Sequence, residues 1–331
     1  MGCGLEGSSD VDLAAQRQLP PLAKAEEHAR VKVMVINFDP IVQGNLPLST
    51  VRGFHGASDL VPRLKDTLHG ASYGGIAFDI VNWTEEGFPP RDGGHIPTYQ
   101  EHVDCLNTGK SCYDHQLADY PLIATKHRLC ERVASQEIDE VWMISDTGSG
   151  FYESRMVGKG AFWVNAPPLW TWRRFECERP FIMMGFNFAR DITEMLHNFG
   201  HRIDDVIDHA IKTKRSDIDL NMAEIFTRPY TSNGTGGCGT THFPPNITDG
   251  LDYQYQVLDA VPSECDKVGP IPNPQAPLRT INCNEWGCYE WGYHTWRFAR
   301  MPRTRAVNWW RQVFPEVTFA PGQAAYDGPS Y

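Results

Sequence analysis

Pro180-Phe-Ile-Met-Met-Gly-Phe-Asn187, followed by Asp191-Ile-Thr-Glu-Met-Leu-His-Asn-Phe-Gly-His-Arg-Ile-Asp-Asp-Val-Ile-Asp-His-Ala-Ile-Lys212, is an apolar run feeding a long amphipathic segment. A short run that is apolar at every position reads as a strand buried on both faces. Apolar residues at helical spacing behind it read as the crossover of a parallel sheet. The same alternation recurs upstream. Val31-Lys-Val-Met-Val-Ile-Asn-Phe38 is rich in β-branched residues and stops at Asp39-Pro40. Ser58 to His69 gives a short amphipathic helix, and Gly74-Gly-Ile-Ala-Phe-Asp-Ile-Val81 a second strand. Asp119 is placed to cap a helix from Pro121 to Ser135, with proline in its first turn. Glu140-Val-Trp-Met-Ile-Ser145 is a further strand. These alternations predict a doubly wound α/β domain with a mostly parallel sheet over residues 30–215.

Outside that domain the composition changes. Residues 1–29 read as a flexible polar tether. Residues 216–331 are dominated by Gly, Pro, Trp and Cys with poor periodicity. They read as a loop-rich, disulfide-pinned region packed on the α/β domain. The 331 residues are 41% hydrophobic and 21% charged, which fits a globular chain. A net charge of −11 argues against a nucleic-acid partner, because phosphate binding needs clustered cations. No apolar run is long enough for a membrane span; Val31–Phe38 is too short and is interrupted by Lys32.

Nine cysteines are present. Setting Cys3 aside leaves an even number in loop-like surroundings, such as Cys105-Leu-Asn-Thr-Gly-Lys-Ser-Cys112 and Cys283-Asn-Glu-Trp-Gly-Cys288. Cys105–Cys112 is the leading local pairing. Bridges of this kind imply an oxidising compartment. Met1-Gly2-Cys3-Gly4 before a polar stretch is similar to the mature end of a bacterial lipoprotein, so any membrane contact is expected only through a lipid on Cys3. The competing readings are Gly2 myristoylation, which Glu6 disfavours, and an ordinary terminus. Sequons at Asn82, Asn233 and Asn246 fit an exported surface.

In an open parallel sheet, ligands sit beyond the carboxyl ends of the strands. Those ends supply Asp39, Asn82, the run Asp146-Thr-Gly-Ser-Gly-Phe-Tyr-Glu153-Ser-Arg155, and Asn187-Phe-Ala-Arg190. Asp146-Thr-Gly-Ser149 matches an aspartic-protease motif. It has no second copy and sits in a βα context, so that chemistry is not expected. The motif is not a nucleophile elbow either, although a serine on a tight turn after a strand is geometrically similar.

The long helix adds Glu194, His197 and His201. At 100° per residue from Glu194, the histidines fall at about 300° and 340°, on one face. A His pair at i, i+4 can clamp a metal. Glu194 would then serve as ligand or base, and Asp205 could hold the His201 ring. Met195, Leu196, Phe199, Ile203, Val206 and Ile207 form the opposite, core face. The polar stripe therefore admits three readings: a metal site, a buried hydrogen-bonding or catalytic group, or a solvated face. The first two require the back third of the chain to fold over it. His242, after the turn Gly236-Gly-Cys-Gly-Thr-Thr, or His294 would complete the site. That turn lacks the Lys-Ser/Thr of a phosphate loop, so no nucleotide is expected.

Trp163, Trp170, Trp172, Trp286, Trp291, Trp296, Trp309 and Trp310 lie outside the predicted strands. They suit either stacking on sugars or burial of area in a region poor in regular structure. Glu153 and Glu194 also form a possible glycosidase-type carboxylate pair.

Asp139-Glu-Val-Trp142, Gly150-Phe-Tyr-Glu-Ser-Arg-Met156, Met184-Gly-Phe-Asn-Phe188, Glu194-Met-Leu-His-Asn-Phe-Gly-His-Arg202 and His242-Phe-Pro-Pro-Asn246 resemble a family of secreted bacterial and fungal proteins with no assigned reaction. The resemblance covers about a third of the chain and implies export.

The expectation is an exported, lipid-anchored hydrolase acting on a small molecule, glycan or peptide. Glu153, Arg155 and Glu194 are the catalytic candidates. Asp146, Asn187, Arg190, Trp286 and Trp291 are the substrate contacts, and His197, His201 and His242 the ligands of a divalent metal such as zinc. A glycan-binding or glycan-hydrolysing protein, and a non-catalytic extracellular interaction or assembly protein, are the alternatives.

Overall fold

The structure is a computed structural model that describes residues 29–108, 117–169, 171–172, 175–231, 233–303 and 308–314. The tether, Cys3, the Cys105–Cys112 pairing and Trp170 fall wholly or partly outside these residues. Five strands build the central sheet: β1 (Ala29–Phe38), β2 (Ile76–Glu86), β3 (Glu140–Ser145), β4 (Ser154–Val157) and β5 (Phe181–Asn187). Their order is β2-β1-β3-β5-β4. All neighbours are parallel except β4, which runs antiparallel to β5 at one edge.

The alternation of side chains sorts the strands into two buried faces. Val31, Val33, Val35, Trp142, Ile144, Ile182, Met184 and Phe186 join one core. Met34, Ile36, Phe38, Val141, Met143, Phe181 and Met183 join the other. Helices α1 (Ala57–Ala71) and α5 (Asp191–Lys212) cover the first face. Helices α3 (Tyr120–Lys126) and α4 (Leu129–Ala134) cover the second. The remaining principal helix before α3 is α2 (Tyr99–Thr108). This is the expected α/β architecture with a mostly parallel sheet.

Two local expectations are corrected. The predicted Pro121–Ser135 helix is split between α3 and α4, because Arg128 adopts the left-handed conformation at φ +53°. Asp119 does cap its first turn, accepting from the Leu122 N–H at 2.9 Å. Strand β2 extends past Val81 to Glu86, where its exposure alternates as expected of a strand at the sheet edge. Neither α2 nor the four-residue β4 has a sequence pattern long enough to read.

The back third carries two short strands, β6 (Val261–Ser263) and β7 (Arg279–Ile281), and helix α6 (Glu290–Phe298). Its apolar side chains enter the same core as the first sheet face: Trp286, Tyr293, Trp309, Trp310 and Phe314 are all buried there. Phe314 packs edge-on against Phe78 of β2, with ring centres 5.6 Å apart. Among the described residues the disulfides are Cys130–Cys177, Cys238–Cys265 and Cys283–Cys288. Such bridges belong to a chain that matures under oxidising conditions. Among the described residues no helix is long and apolar enough to cross a membrane. Of the sequons, Asn233 is exposed, whereas Asn246 is buried and donates to the Val257 and Asp259 carbonyls. Asn246 is a loop brace and not a surface acceptor.

Candidate metal centre

Helix α5 turns its apolar side to the sheet and its polar side toward the back third of the chain. His197 is consequently only 1% exposed. Its Nε2 lies 3.0 Å from Nε2 of His201, which lies 3.1 Å from Nε2 of His242. Nitrogens bound tetrahedrally to one zinc ion sit about 3.3 Å apart, so three imidazoles already converge at close to ligand spacing.

Proton placement sharpens this geometry. His197 Nδ1 is 2.9 Å from the Glu290 carboxylate, which can only accept, so Nδ1 carries the hydrogen and the neutral ring has a bare Nε2. His201 can direct at most one N–H, yet it faces two neighbouring nitrogens. The Tyr253 hydroxyl sits 3.0 Å from His242 Nε2 and can donate to it. Hydrogen bonds can serve these nitrogens one at a time, whereas a shared cation would satisfy all three lone pairs together.

Burial favours the neutral forms of His201 and His242. It pushes His201 down to about 3, helped by His197, and lowers His242 in the same way. Burial also brings His294 down to about 4, against the opposing hydrogen bond to Glu290. Around the rings stand carboxylates. Glu153 Oε2 is 3.3 Å from His201 Nε2, and Oε1 is 4.0 Å from His197 Nε2. Asn165 steadies Glu153 through a 3.0 Å hydrogen bond. Burial works to raise Glu290, but hydrogen bonds from His197 and His294 outweigh it and hold the group at about 2, so it stays ionised. Glu290 with His197 and His294 forms a second group of metal-type side chains. Because Glu290 accepts the hydrogen bond from His197 Nδ1, it acts as the partner that orients that ring.

The placement of His242 is built by α5 itself. Asp204 accepts from the backbone N–H of Thr241 at 2.8 Å and from its hydroxyl at 2.7 Å, and Arg297 of α6 grips the same carboxylate. Gly200 is what allows the approach: a Cβ there would stand 2.6 Å from the Thr241 hydroxyl. The Cys238–Cys265 and Cys283–Cys288 bridges pin the segments that lead to His242 and Glu290. Tyr253 holds its ring beside His242 from a left-handed backbone at φ +58°, a conformation that costs a bulky residue energy and recurs where side chains are aimed at a site.

The sequence-derived candidates divide. His197, His201, His242 and Glu153 come together. Glu194 is close by but buried; its Oε2 has no hydrogen-bond partner, and burial first, then Glu153 and Glu290, push it up to about 8 against Arg190. Arg190 lies 3.8 Å from Glu194 at the start of α5. Arg155 faces the other side of the sheet, donating to the Pro167 carbonyl and standing over the Tyr120 and Tyr152 rings. Asp146 is buried against Arg52 and His102. Asn187 caps the turn before α5 and pairs with Thr147. Trp286 is buried with its N–H on the Tyr255 carbonyl, and Trp291 is half-buried beside Tyr289. Asp205 does not hold His201; it accepts from the Asn165 backbone instead. Glu290 and Tyr253 had no role assigned from sequence. The only signal for Glu290 was its i, i+4 spacing to His294.

Fold and side-chain cluster together define an α/β protein whose His-rich centre could hold a metal ion. No protein family, no curated protein and no solved structure matches the chain.

Proposed function

We propose that this protein is an exported metal-dependent hydrolase, with His197, His201 and His242 holding a divalent cation, zinc by ligand type. The observation that carries the reading is the grouping of three Nε2 atoms, His201 lying 3.0 Å from His197 and 3.1 Å from His242, with the Nδ1 of His197 fixed by Glu290. Three protein ligands with a solvent-facing side is the arrangement of catalytic rather than structural zinc. Here that side is supplied by His201, His242 and Glu153, which keep part of their side-chain surface in solvent.

A cation in this position supplies Lewis acidity and acidifies a water. The chain's own side chains position the reacting groups and move the protons. Glu153 is the base at the open side, close enough to accept a proton from a water attacking a carbonyl carbon. The Tyr253 hydroxyl, kept protonated by burial and by nearby Glu153, can donate to the oxygen that gains charge. Export is supported by the disulfides and by the resemblance to secreted proteins.

Zinc-loaded protein assayed on a panel of activated esters, amides and glycosides tests this reading. It predicts turnover of at least one class that chelation abolishes. Glu153→Gln should keep the metal while losing about 10²–10⁴-fold in kcat. Absence of turnover across the panel, or turnover untouched by chelation, would overturn it. Loss of metal in Glu153→Gln would make Glu153 a fourth ligand and the centre a closed one.

A further inference from the structure

At the far end of the sheet from β4, a cleft of about 700 Å³ opens beyond the carboxyl ends of β1 and β2. Its walls include Asn37, Asp39 and Ile41 from β1 and its exit, and Trp83, Glu85 and Glu86 from β2. Strand register explains the grouping. Asn37 lies opposite Glu85 and Val35 opposite Trp83, so Asn37, Trp83 and Glu85 share one face of neighbouring strands.

Their hydrogen bonds leave one acceptor unmet. The Asn37 amide N–H donates to Glu85 Oε2 at 2.7 Å, and the Trp83 indole donates to Glu85 Oε1 at 2.5 Å. That orientation turns the Asn37 Oδ1 into an acceptor with no partner, although the residue is only 6% exposed. A buried acceptor left unpaired is destabilising, and a donor brought by a ligand would satisfy it. The charges point the same way. Asp39 is engaged by the Ser49 backbone and hydroxyl. Glu86 is matched by Lys126 and His127. Glu85 has only neutral donors as partners, and no Lys or Arg is among the described residues that line the cleft. Trp83, 37% exposed, adds an indole to the wall, and Ile41, 63% exposed, an apolar rim.

We infer that this cleft binds an organic ammonium, the head of an amine or of a lysine-like side chain. Its N–H groups satisfy Asn37 Oδ1 and Glu85, its charge neutralises Glu85, and its alkyl stem lies along Trp83 and Ile41. A neutral sugar would meet the acceptor but not the uncompensated charge, and an anion would be repelled. This binding is independent of the metal centre and of hydrolysis.

The test is calorimetric titration of the full-length protein with cadaverine and with Nα-acetyl-lysine methylamide. The controls are the Nε-acetylated lysine analogue, methyl glucoside and sodium chloride at matched ionic strength. Saturable 1:1 binding of the two amines is expected, weakened by at least about tenfold on Nε-acetylation. Trp83→Ala and Glu85→Gln should each weaken amine binding by a similar factor while leaving the metal content and the circular dichroism spectrum of the wild type. Asn37→Leu, which removes the acceptor but fills its volume, should do the same. No saturable amine binding would overturn the inference, as would equal binding of the acetylated analogue or the glucoside, or unchanged affinity in Glu85→Gln and Asn37→Leu.

Discussion

His197 Nδ1 and Glu290 form the contact on which the centre turns, because the proton there decides which nitrogen is free to ligate. Glu290→Gln should leave the fold intact and weaken zinc by about 10- to 100-fold in a competition titration with a chromophoric chelator. Unchanged affinity would mean that His197 is oriented by packing alone. The titrating groups make a second prediction, for the metal-free protein. His201 and His294 have native values of about 3 and about 4, below their ordinary 6.5. The unfolded chain therefore binds more protons in this range, and stability falls as pH drops from about 6.5 toward 4. Glu194 acts in the opposite window. Its native value of about 8 lies above its ordinary 4.5, so its contribution is present below 4.5 and is lost as pH rises through 8. Glu194→Gln should stabilise the chelated protein at pH 9 relative to wild type and change little at pH 4, as read by urea denaturation. Equal shifts at both pH values would show that Glu194 does not titrate there.

Helix α5 was the most legible element, and its limits are instructive. Spacing alone put Glu194, His197 and His201 on one stripe and the apolar residues on the other, and both assignments describe the folded helix. Spacing did not separate Asp204 from Asp205, since the two lie about 40–60° to either side of His201 on the same stripe. What decides between them is the chain laid over the helix, where Thr241 meets Asp204 and Asn165 meets Asp205. Glu290 and Tyr253 were illegible for the same reason: their relation to the histidines exists only after the back third packs. Two predictions belong at this scale. Gly200→Ala would drive a methyl into Thr241 and should cost about 1–3 kcal/mol, with zinc affinity falling through displacement of His242. Wild-type zinc affinity in this variant would contradict the packing described. The Cys238–Cys265 bridge closes a segment with a sequence separation of 27 that contains both His242 and Tyr253. Replacing both cysteines by serine should remove about 3–4 kcal/mol by loop entropy and lower zinc affinity at the same time. Thermal melts of the variant with and without zinc would read both effects.

For the whole molecule, the strand and helix alternation of residues 30–215 was enough to place the four parallel strands, because strands buried between two layers are largely apolar, but not the short antiparallel edge strand β4. The back third was not legible as structure, because short strands, turns and a nine-residue helix carry little periodicity. Its tryptophans show what it contributes. Trp286, Trp296, Trp309 and Trp310 are buried, supplying area that regular elements there do not. The result is a covering layer whose core is continuous with one face of the sheet and whose loops close over the polar stripe of α5. Zinc X-ray absorption combined with elemental analysis of the purified protein tests that closure most directly. The account predicts one metal per chain with three nitrogen scatterers at about 2.0–2.1 Å, lost in both His201→Ala and His242→Ala. A metal-free protein that takes up no zinc, or a metal retained when either histidine is removed, would contradict it.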